Sequence, residues 1–504
     1  MQPTRSPLRY FVIACSAVGI VAGAQGCGSA DSSTFDTANP DGGGVFGDGG
    51  TVPSFGDGGV TNGGDGSTTG GPCVNLQCQQ VACPAGQKTT VTGTVMDPAG
   101  KNPLYNVAVY VPNSKPSAFT DSASCDTCAA LYTGNPIASA LTGADGKFTL
   151  ENVPVGTNIP LVIQIGKWRR QVTIPSVAQC TNTAITDANA IRLPRNRTEG
   201  DIPKIAVSTG GADTLECLFR RIGVDASEFT SGTGPERIHI YRGQGGGKAG
   251  APEMIGGSPA SEASLWKDKA SLMTYDIVTL SCEGDEYGDG SDYPDGTSSG
   301  TPATKPPAAL KAMKDYADSG GRIFASHFHY YWLSSGPAPF PSTATWTRGS
   351  NTIGTGSIDG KIDQSFPKGV AFAQWLKNVN ALKANGNLPI VDAKHNADVN
   401  IAVNKGVQPW ITNADTKNAA TEYFTFNTPM GAAADAQCGR VVYSDLHVGG
   451  ASNDYSNAAT VPAGCSTGNL SPQEKALEFM LFDLSSCVTP DSAPPQPPPS
   501  GGPR

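Results

Sequence analysis

Two of the chain's five histidines, His327 and His329, stand one residue apart inside Gly320–Trp332, GGRIFASHFHYYW. If the apolar run RIFAS is a strand continuing through them, alternate side chains share a face, and both imidazoles reach one point like the first two arms of a metal clamp. Asp445 and His447 follow a second apolar run, RVVYS, and Cys282, Glu283 and Asp285 follow a third, YDIVTLS. His327, His329, His447 and Asp445 are therefore candidate ligands for zinc or a similar divalent ion. Glu283 or Asp285 would then be the general base for a bound water. Cys282 is a separate candidate nucleophile, with His327 or His447 as its partner. The competing reading needs no chemistry: neutral histidines hydrogen-bonded among Tyr330, Tyr331 and Trp332 at the crowded end of a buried strand. Those three aromatics and Tyr287 can stack on a sugar ring, or can fill the seam between a sheet and its loop. The acidic run CEGDEYGDGSDYPDG has the oxygen density calcium prefers, but Tyr287 and Gly296 occupy ligand positions of an EF-hand, so it reads as the solvated rim of a pocket.

These residues need elements that bring them together. From Asp201 the pattern is strand, Gly-Gly turn and helix (DIPKIAVSTGGADTLECLFRRIGV), then short strands RIHIY and YDIVTLS. The helix PAALKAMKDYADSGG then feeds RIFAS, VAFAQWLKNV forms another helix, and EYFTFN and RVVYS are further strands. SPQEKALEFMLFDL has Ser471 as N-cap, Pro472 at the first helical position and Glu474 to close a capping box. Alternating strands and helices predict an α/β domain with a mostly parallel sheet, whose ligands gather beyond the carboxyl ends of the strands. Ahead of it, KTTVTGTVMDPAGKNPLYNVAVYVPN and TGADGKFTLENVPVGTNIPLVIQIGKWRRQVTIP alternate apolar and polar residues around DPAG and Asp145-Gly146 turns. Short strands with such turns predict a small β-sandwich.

The chain has 504 residues, 62 of them Gly and 39 Pro, and a net charge of −9, which excludes a nucleic-acid backbone as the main partner. Its start, MQPTRSPLRYFVIACSAVGIVAGAQGCGSADSS, has Arg5 and Arg9 before an apolar stretch and small residues before a cysteine, the layout of an export signal. AGAQGC resembles a bacterial lipobox, which implies lipidation of Cys27; the alternative is cleavage near Ala24 and a free product. Residues 28–71 are Gly, Ser, Thr and Asp with few large apolar side chains, so they read as a flexible stalk. The Pro-rich end TPDSAPPQPPPSGGPR reads as a disordered tail. Removing Cys15 and Cys27 from thirteen cysteines leaves eleven, and in an oxidising compartment an odd total leaves one unpaired or linked to another chain. CDTC at Cys125 is expected to bridge to the CVNLQCQQVAC cluster rather than to act in redox chemistry.

VTGTVMDPAGKNPLYNVAVYV followed by TGADGKFTLENVPVG resembles the carboxypeptidase regulatory-like domain, a prealbumin-like sandwich of the carbohydrate-binding-like group. That resemblance implies an accessory module with no catalytic residues. YDIVTLSCEG, GGRIFASH and GRVVYSDLH, in that order, resemble the class I glutamine amidotransferase-like fold, and its trehalose-utilisation-like branch in particular. The resemblance places His327 where that family carries its nucleophilic Cys and His447 near its late-strand His. Without Cys at that elbow, glutaminase activity is not expected.

The expected organisation is a signal peptide at 1–26, a Gly/Ser/Asp linker at 27–72 and the β-sandwich at 73–193. A flavodoxin-like or amidotransferase-like α/β domain follows at 201–488, with the tail at 489–504. The expected role is an exported, lipid-anchored protein of the outer membrane or cell envelope. It would bind carbohydrate or another surface polymer through a degenerate α/β domain. The alternatives are a metal-assisted hydrolase using His327, His329 and His447, or a Cys282 hydrolase.

Overall fold

The computed structural model describes residues 73–187, 189–243, 259–286, 305–349, 351–353, 357–415, 419–447, 465 and 468–500. The signal and linker regions, Cys27 and Tyr287 lie outside these residues.

Seven strands build the first lobe: β1 Thr90–Thr94, β2 Ala108–Pro112, β3 Pro136–Leu141, β4 Lys147–Glu151, β5 Gly156–Ile165, β6 Trp168–Val177 and β7 Asn182–Ala184. They form a three-stranded sheet, order β4-β1-β7, and a four-stranded sheet, order β3-β2-β5-β6. β4 alternates, with Phe148 and Leu150 inward and Lys147, Thr149 and Glu151 outward, whereas β2 is buried on both faces. The turn before β4 needs glycine at Gly146: its φ is +71°, and a Cβ there would lie 2.7 Å from Pro103 Cβ and 2.8 Å from the Val95 carbonyl oxygen.

The second lobe contains β8 Ile205–Ser208, β9 Phe229–Thr230, β10 Ile238–Tyr241, β11 Ile277–Leu280, β12 Arg322–Ser326, β13 Thr345–Trp346, β14 Ser357–Ile362, β15 Leu388–Val391, β16 Ala397–Asp398, β17 Val407–Asn413, β18 Thr421–Thr428 and β19 Gly439–Ser444. Its helices are α2 Leu215–Arg221, α3 Ala263–Trp266, α4 Lys269–Met273, α5 Pro307–Asp318, α6 Tyr331–Ser334, α7 Pro367–Asn378 and α8 Pro472–Ser485; α1, Cys128–Leu131, belongs to the first lobe. One ten-stranded sheet runs β15-β14-β17-β18-β19-β12-β11-β8-β10-β9. Strands β9, β10, β8, β11, β12 and β19 are parallel, and the rest pair antiparallel. The sheet is thus mixed where a mostly parallel one is expected from sequence. The connections from β17 to β18 and from β18 to β19 are too short for the crossover that parallel neighbours require. α8 starts as its sequence dictates: Ser471 accepts from the Glu474 amide and Glu474 caps back onto Ser471, with Pro472 at the first position.

The lobes share one apolar core. Tyr105 stacks on Phe479 of α8 at 5.6 Å, Trp168 meets Phe482 edge-on at 5.8 Å, and the Trp375 indole donates to the Pro103 carbonyl at 2.6 Å. Lys167 and Asp276, nearly buried, pair across the junction at 2.7 Å. Disulfides Cys125–Cys438 and Cys128–Cys487 also cross it. The CDTC cysteines therefore pair with the late half of the chain and not with the early cluster, whose members close as Cys73–Cys78 and Cys83–Cys180. The remaining bridge is Cys217–Cys465. These bridges indicate an oxidising environment for the folded part. No described helix is long and apolar enough to cross a membrane.

The start of the Pro-rich tail is held to the body, in contrast to the disorder that its composition predicts. Asp491 sits 2.8 Å from Arg440 and 3.4 Å from Lys368, two buried cations that also share Asp483 at 2.8 Å each. Further on, Pro498 is buried and its carbonyl accepts from Ser139 Oγ at 2.6 Å. Two cations and two carboxylates balance; removing one anion leaves a buried positive charge. Asp491→Ala is therefore expected to lower stability by about 3–5 kcal/mol in urea unfolding, against less than about 0.5 kcal/mol for the exposed Asp435→Ala.

Candidate functional site

Strands β11, β12 and β19 are parallel neighbours in register, Leu280 beside Ala325 and Ala325 beside Tyr443. Each therefore ends at the same rim, and the next residues of each, Cys282, His327 and His447, converge there. Cys282 Sγ lies 3.2 Å from His327 Nδ1, and His447 Nε2 lies 3.1 Å from that same nitrogen. The three donor atoms all fall within 4.8 Å of one another, and no other described cluster of three or more His, Cys, Asp or Glu has this geometry. All three residues are buried.

Local backbone explains the convergence. Ser326 ends β12 and turns its hydroxyl to the Asp213 carboxylate, so it is not available as a nucleophile. His327 then takes φ +40°, a left-handed conformation that costs a non-glycine residue on the order of 1–3 kcal/mol and acts as an elbow. Behind Cys282, the loop after β8 comes close enough that a Cβ on Gly210 would lie 2.2 Å from the Cys282 carbonyl oxygen. The same loop supplies Asp213, whose carboxylate accepts the Cys282 amide at 3.1 Å.

A second partner fixes the His447 ring. His447 Nδ1 is 2.9 Å from Asp392, which also binds Lys394 at 2.7 Å. Asn396 donates its side-chain amide to the Thr347 and Gly349 carbonyls at 2.6 and 2.7 Å, while the far nitrogen of His327, Nε2, is buried without a hydrogen-bond partner among the described residues. With its far nitrogen engaged by Asp392, His447 turns Nε2 towards His327 Nδ1, which faces Cys282. Burial, with His447 and Lys394 nearby, holds the His327 pKa well below its ordinary value. Burial acts in the same direction on His447, but the Cys282 sulfur, Asp213 and Asp392 outweigh it and raise that ring well above the usual imidazole range. The hydrogen bond from His447 holds Asp392 below the carboxylate range despite partial burial.

His329 does not join the cluster. The strand stops at Ser326 and residues His327–Tyr330 form a 3-10 turn, so the two histidines do not alternate as strand residues. The Trp332 indole donates to His329 Nδ1 at 3.2 Å, and Nε2 lies 2.8 Å from the Ser281 carbonyl, which occupies both ring nitrogens of a neutral imidazole. Burial lowers its pKa to about 4. Asp445 is committed elsewhere as well: one oxygen accepts from Tyr443 at 2.6 Å and the other from the Asn396 amide at 2.9 Å, while burial raises it to about 6. Glu283 is buried near Gly243, and Asp285 is half-buried, accepting the Glu286 amide at 2.7 Å; neither belongs to the three-atom group.

Tyr330, Tyr331 and Trp332 are 0, 1 and 2 % exposed, so they present no face to a sugar. Tyr330 bonds Glu286, and Tyr331 and Trp332 join Trp266 around the buried Lys305 ammonium, which pairs with Glu262 at 2.8 Å. Tyr287 lies outside the described residues. Asp392, Asn396 and Asp213 were not among the sequence candidates. The polar burst VDAKHNAD after the short apolar run LPIV was the available signal for the first two.

No family model matches the chain, and no curated protein matches it. Among solved structures, a ThuA-like protein from Parabacteroides merdae is similar at 12 % identity over 59 % of this chain and 94 % of that one, with a TM-score of 0.27. A type II cohesin–X-dockerin complex from Acetivibrio cellulolyticus is similar at 17 % identity over 29 % of this chain and 79 % of that one, with a TM-score of 0.15.

Among the described residues one cysteine is free, Cys282, and it is buried. Alkylation of the unreduced, denatured protein followed by peptide mapping should label Cys282 and find the ten bridged cysteines unlabelled. Native protein should label far more slowly at Cys282.

Proposed function

We propose that the protein is exported, held at the cell envelope by a lipidated Cys27, and carries a metal-assisted hydrolytic centre at Cys282, His327 and His447. In this reading the first lobe is a prealbumin-like spacer and the second an amidotransferase-like α/β body whose elbow holds His327 as a ligand in place of a nucleophilic cysteine. The observation that carries it is the convergence of one sulfur and two imidazole nitrogens from three adjacent strand ends. Ligand atoms around tetrahedral zinc lie roughly 3.3–3.5 Å apart, close to the 3.1 and 3.2 Å seen here. The set contains no hard oxygen donor, which suits zinc and disfavours calcium or magnesium. The Asp392–His447 contact is the carboxylate support that metal-binding imidazoles usually have.

A bound zinc would supply Lewis acidity, and three protein donors would leave a fourth position for water or substrate. The residues divide the remaining work. Asp392 orients His447, the left-handed backbone at the elbow places His327, and Asp213 and Asp392 place negative charge where a cation is stabilised. An envelope polymer is the substrate class that the location favours. A pure binding role needs neither the strained elbow nor the carboxylate-supported His447.

Protein purified without a histidine tag should contain about one equivalent of zinc by elemental analysis. Cys282→Ser, His327→Ala and His447→Ala should each lose it, His329→Ala should keep it, and Asp392→Asn should weaken it by roughly 10–100-fold. Wild-type protein that stays metal-free after incubation with zinc sinks this reading. The order Cys282, His447, Asp392 also supports a thiol nucleophile with its base and orienting acid. Hydrolysis abolished by iodoacetamide but unaffected by a chelator would favour that second reading.

A further inference from the structure

The junction between the lobes contains two acids in contact. Asp97 opens the turn after β1 and Glu478 lies on α8; they are 1 and 0 % exposed. Asp97 accepts the Lys101 amide at 2.7 Å, and its own amide donates to the Asn102 carbonyl at 2.8 Å. Asn102 reaches across and donates its side-chain amide to Glu478 Oε2 at 2.7 Å. Glu478 Oε1 receives no donor of this kind and is buried, and the two carboxyl groups hydrogen-bond each other.

Among the described residues no cation pairs directly with either acid, although Lys101 and Lys475 act on them from a distance. Lys101 is exposed and contacts Asp97 through its backbone. Lys475, on α8, gives its ammonium to the Val379 carbonyl at 2.6 Å. From α2, whose end receives the same turn through the Ala99 amide and the Ile222 carbonyl at 2.9 Å, Arg221 is bound to Glu474 and Arg220 to the Val224 carbonyl. Asp483, further along α8, is taken by Lys368 and Arg440. Among the described residues neither Asp97 nor Glu478 has an ion-pair partner. Two carboxylates in contact away from water cannot both carry charge, so a proton must lie between them.

We propose that Asp97 and Glu478 form a proton latch between the lobes: one shared proton closes the turn at residues 97–103 onto α8, and its loss forces turn and helix apart. The location gives the latch leverage, because the same turn carries Pro103, which accepts from Trp375, and leads to Tyr105, which stacks on Phe479. Burial raises Asp97 to about 6 and Glu478 well above the ordinary carboxylate value. The sign follows from those directions. The folded protein binds the proton more tightly than the unfolded chain does. The stabilisation is therefore complete below pH of about 4 and is lost as pH rises through about 6 and above.

Hydrogen exchange of residues 97–105, corrected for the intrinsic pH dependence of amide exchange, reads the opening directly. In wild type the opening equilibrium should rise up to roughly tenfold per pH unit once the shared proton is being lost. Glu478→Gln keeps the shape and a donor without the second charge, and should flatten that rise to less than about twofold across the same range. Asp97→Asn, which disturbs the helix less, should do the same if the glutamine variant folds poorly. A wild-type turn with pH-independent opening, or variants that retain the wild-type slope, overturns the latch.

Discussion

The in-register hydrogen bonding of β11, β12 and β19 is the constraint on which the candidate site depends. Parallel pairing places Leu280, Ala325 and Tyr443 side by side, so the three strands expire together. Only then can residues a few positions further on in each reach a common point. A one-residue slip in β12 would move Ser326 to the elbow and point His327 elsewhere. The ladder also explains why the site is buried: among the described residues its walls are strand ends and the close loop at Gly210.

Electrostatics then favours positive charge at that point. Asp213 and Asp392 flank the cluster, Cys282 contributes a sulfur, and the one nearby lysine, Lys394, is already bound to Asp392. His447 responds by holding its proton well above the ordinary imidazole range, while His327, without a carboxylate of its own, gives its proton up readily. A proton on His447 and a divalent ion are two ways to meet the same field. The metal reading differs in that it also uses the carboxylate held against the far nitrogen of His447.

Much of this was legible in the sequence where local rules decide. The capping box at Ser471, the helix from Pro307 into RIFAS, and the strand ends bearing Cys282, His327 and His447 follow from spacing, caps and apolar runs. What was not legible depends on tertiary context. The apolar run before it predicts that the strand continues through His329, but the elbow at His327 starts a 3-10 turn and sends it to Ser281 and Trp332. Asp392 and Asn396 follow a strand at the far antiparallel edge of the sheet; the polar burst VDAKHNAD marks a candidate segment, but its order in the chain does not say that it folds back over the rim. The CDTC pairing was misread because sequence proximity says little about which cysteines a two-lobed body brings within bonding distance.

The persistence of one free thiol is the last point that the structure has to account for. Ten described cysteines are paired, two of the bridges spanning the junction between the lobes, so the chain matures where thiols oxidise. Cys282 escapes because it is 0 % exposed and because no second described thiol is free to meet it. Burial alone would suffice for an inert core cysteine, which packs against apolar neighbours. Cys282 does lie in an apolar core cluster, but its sulfur also faces the His327 imidazole, and the neighbouring His447 is held through its far nitrogen by Asp392. A free, buried sulfur beside an imidazole pair, one ring of which is oriented by a carboxylate, is the combination that the proposed ligand role uses and that apolar packing alone does not require.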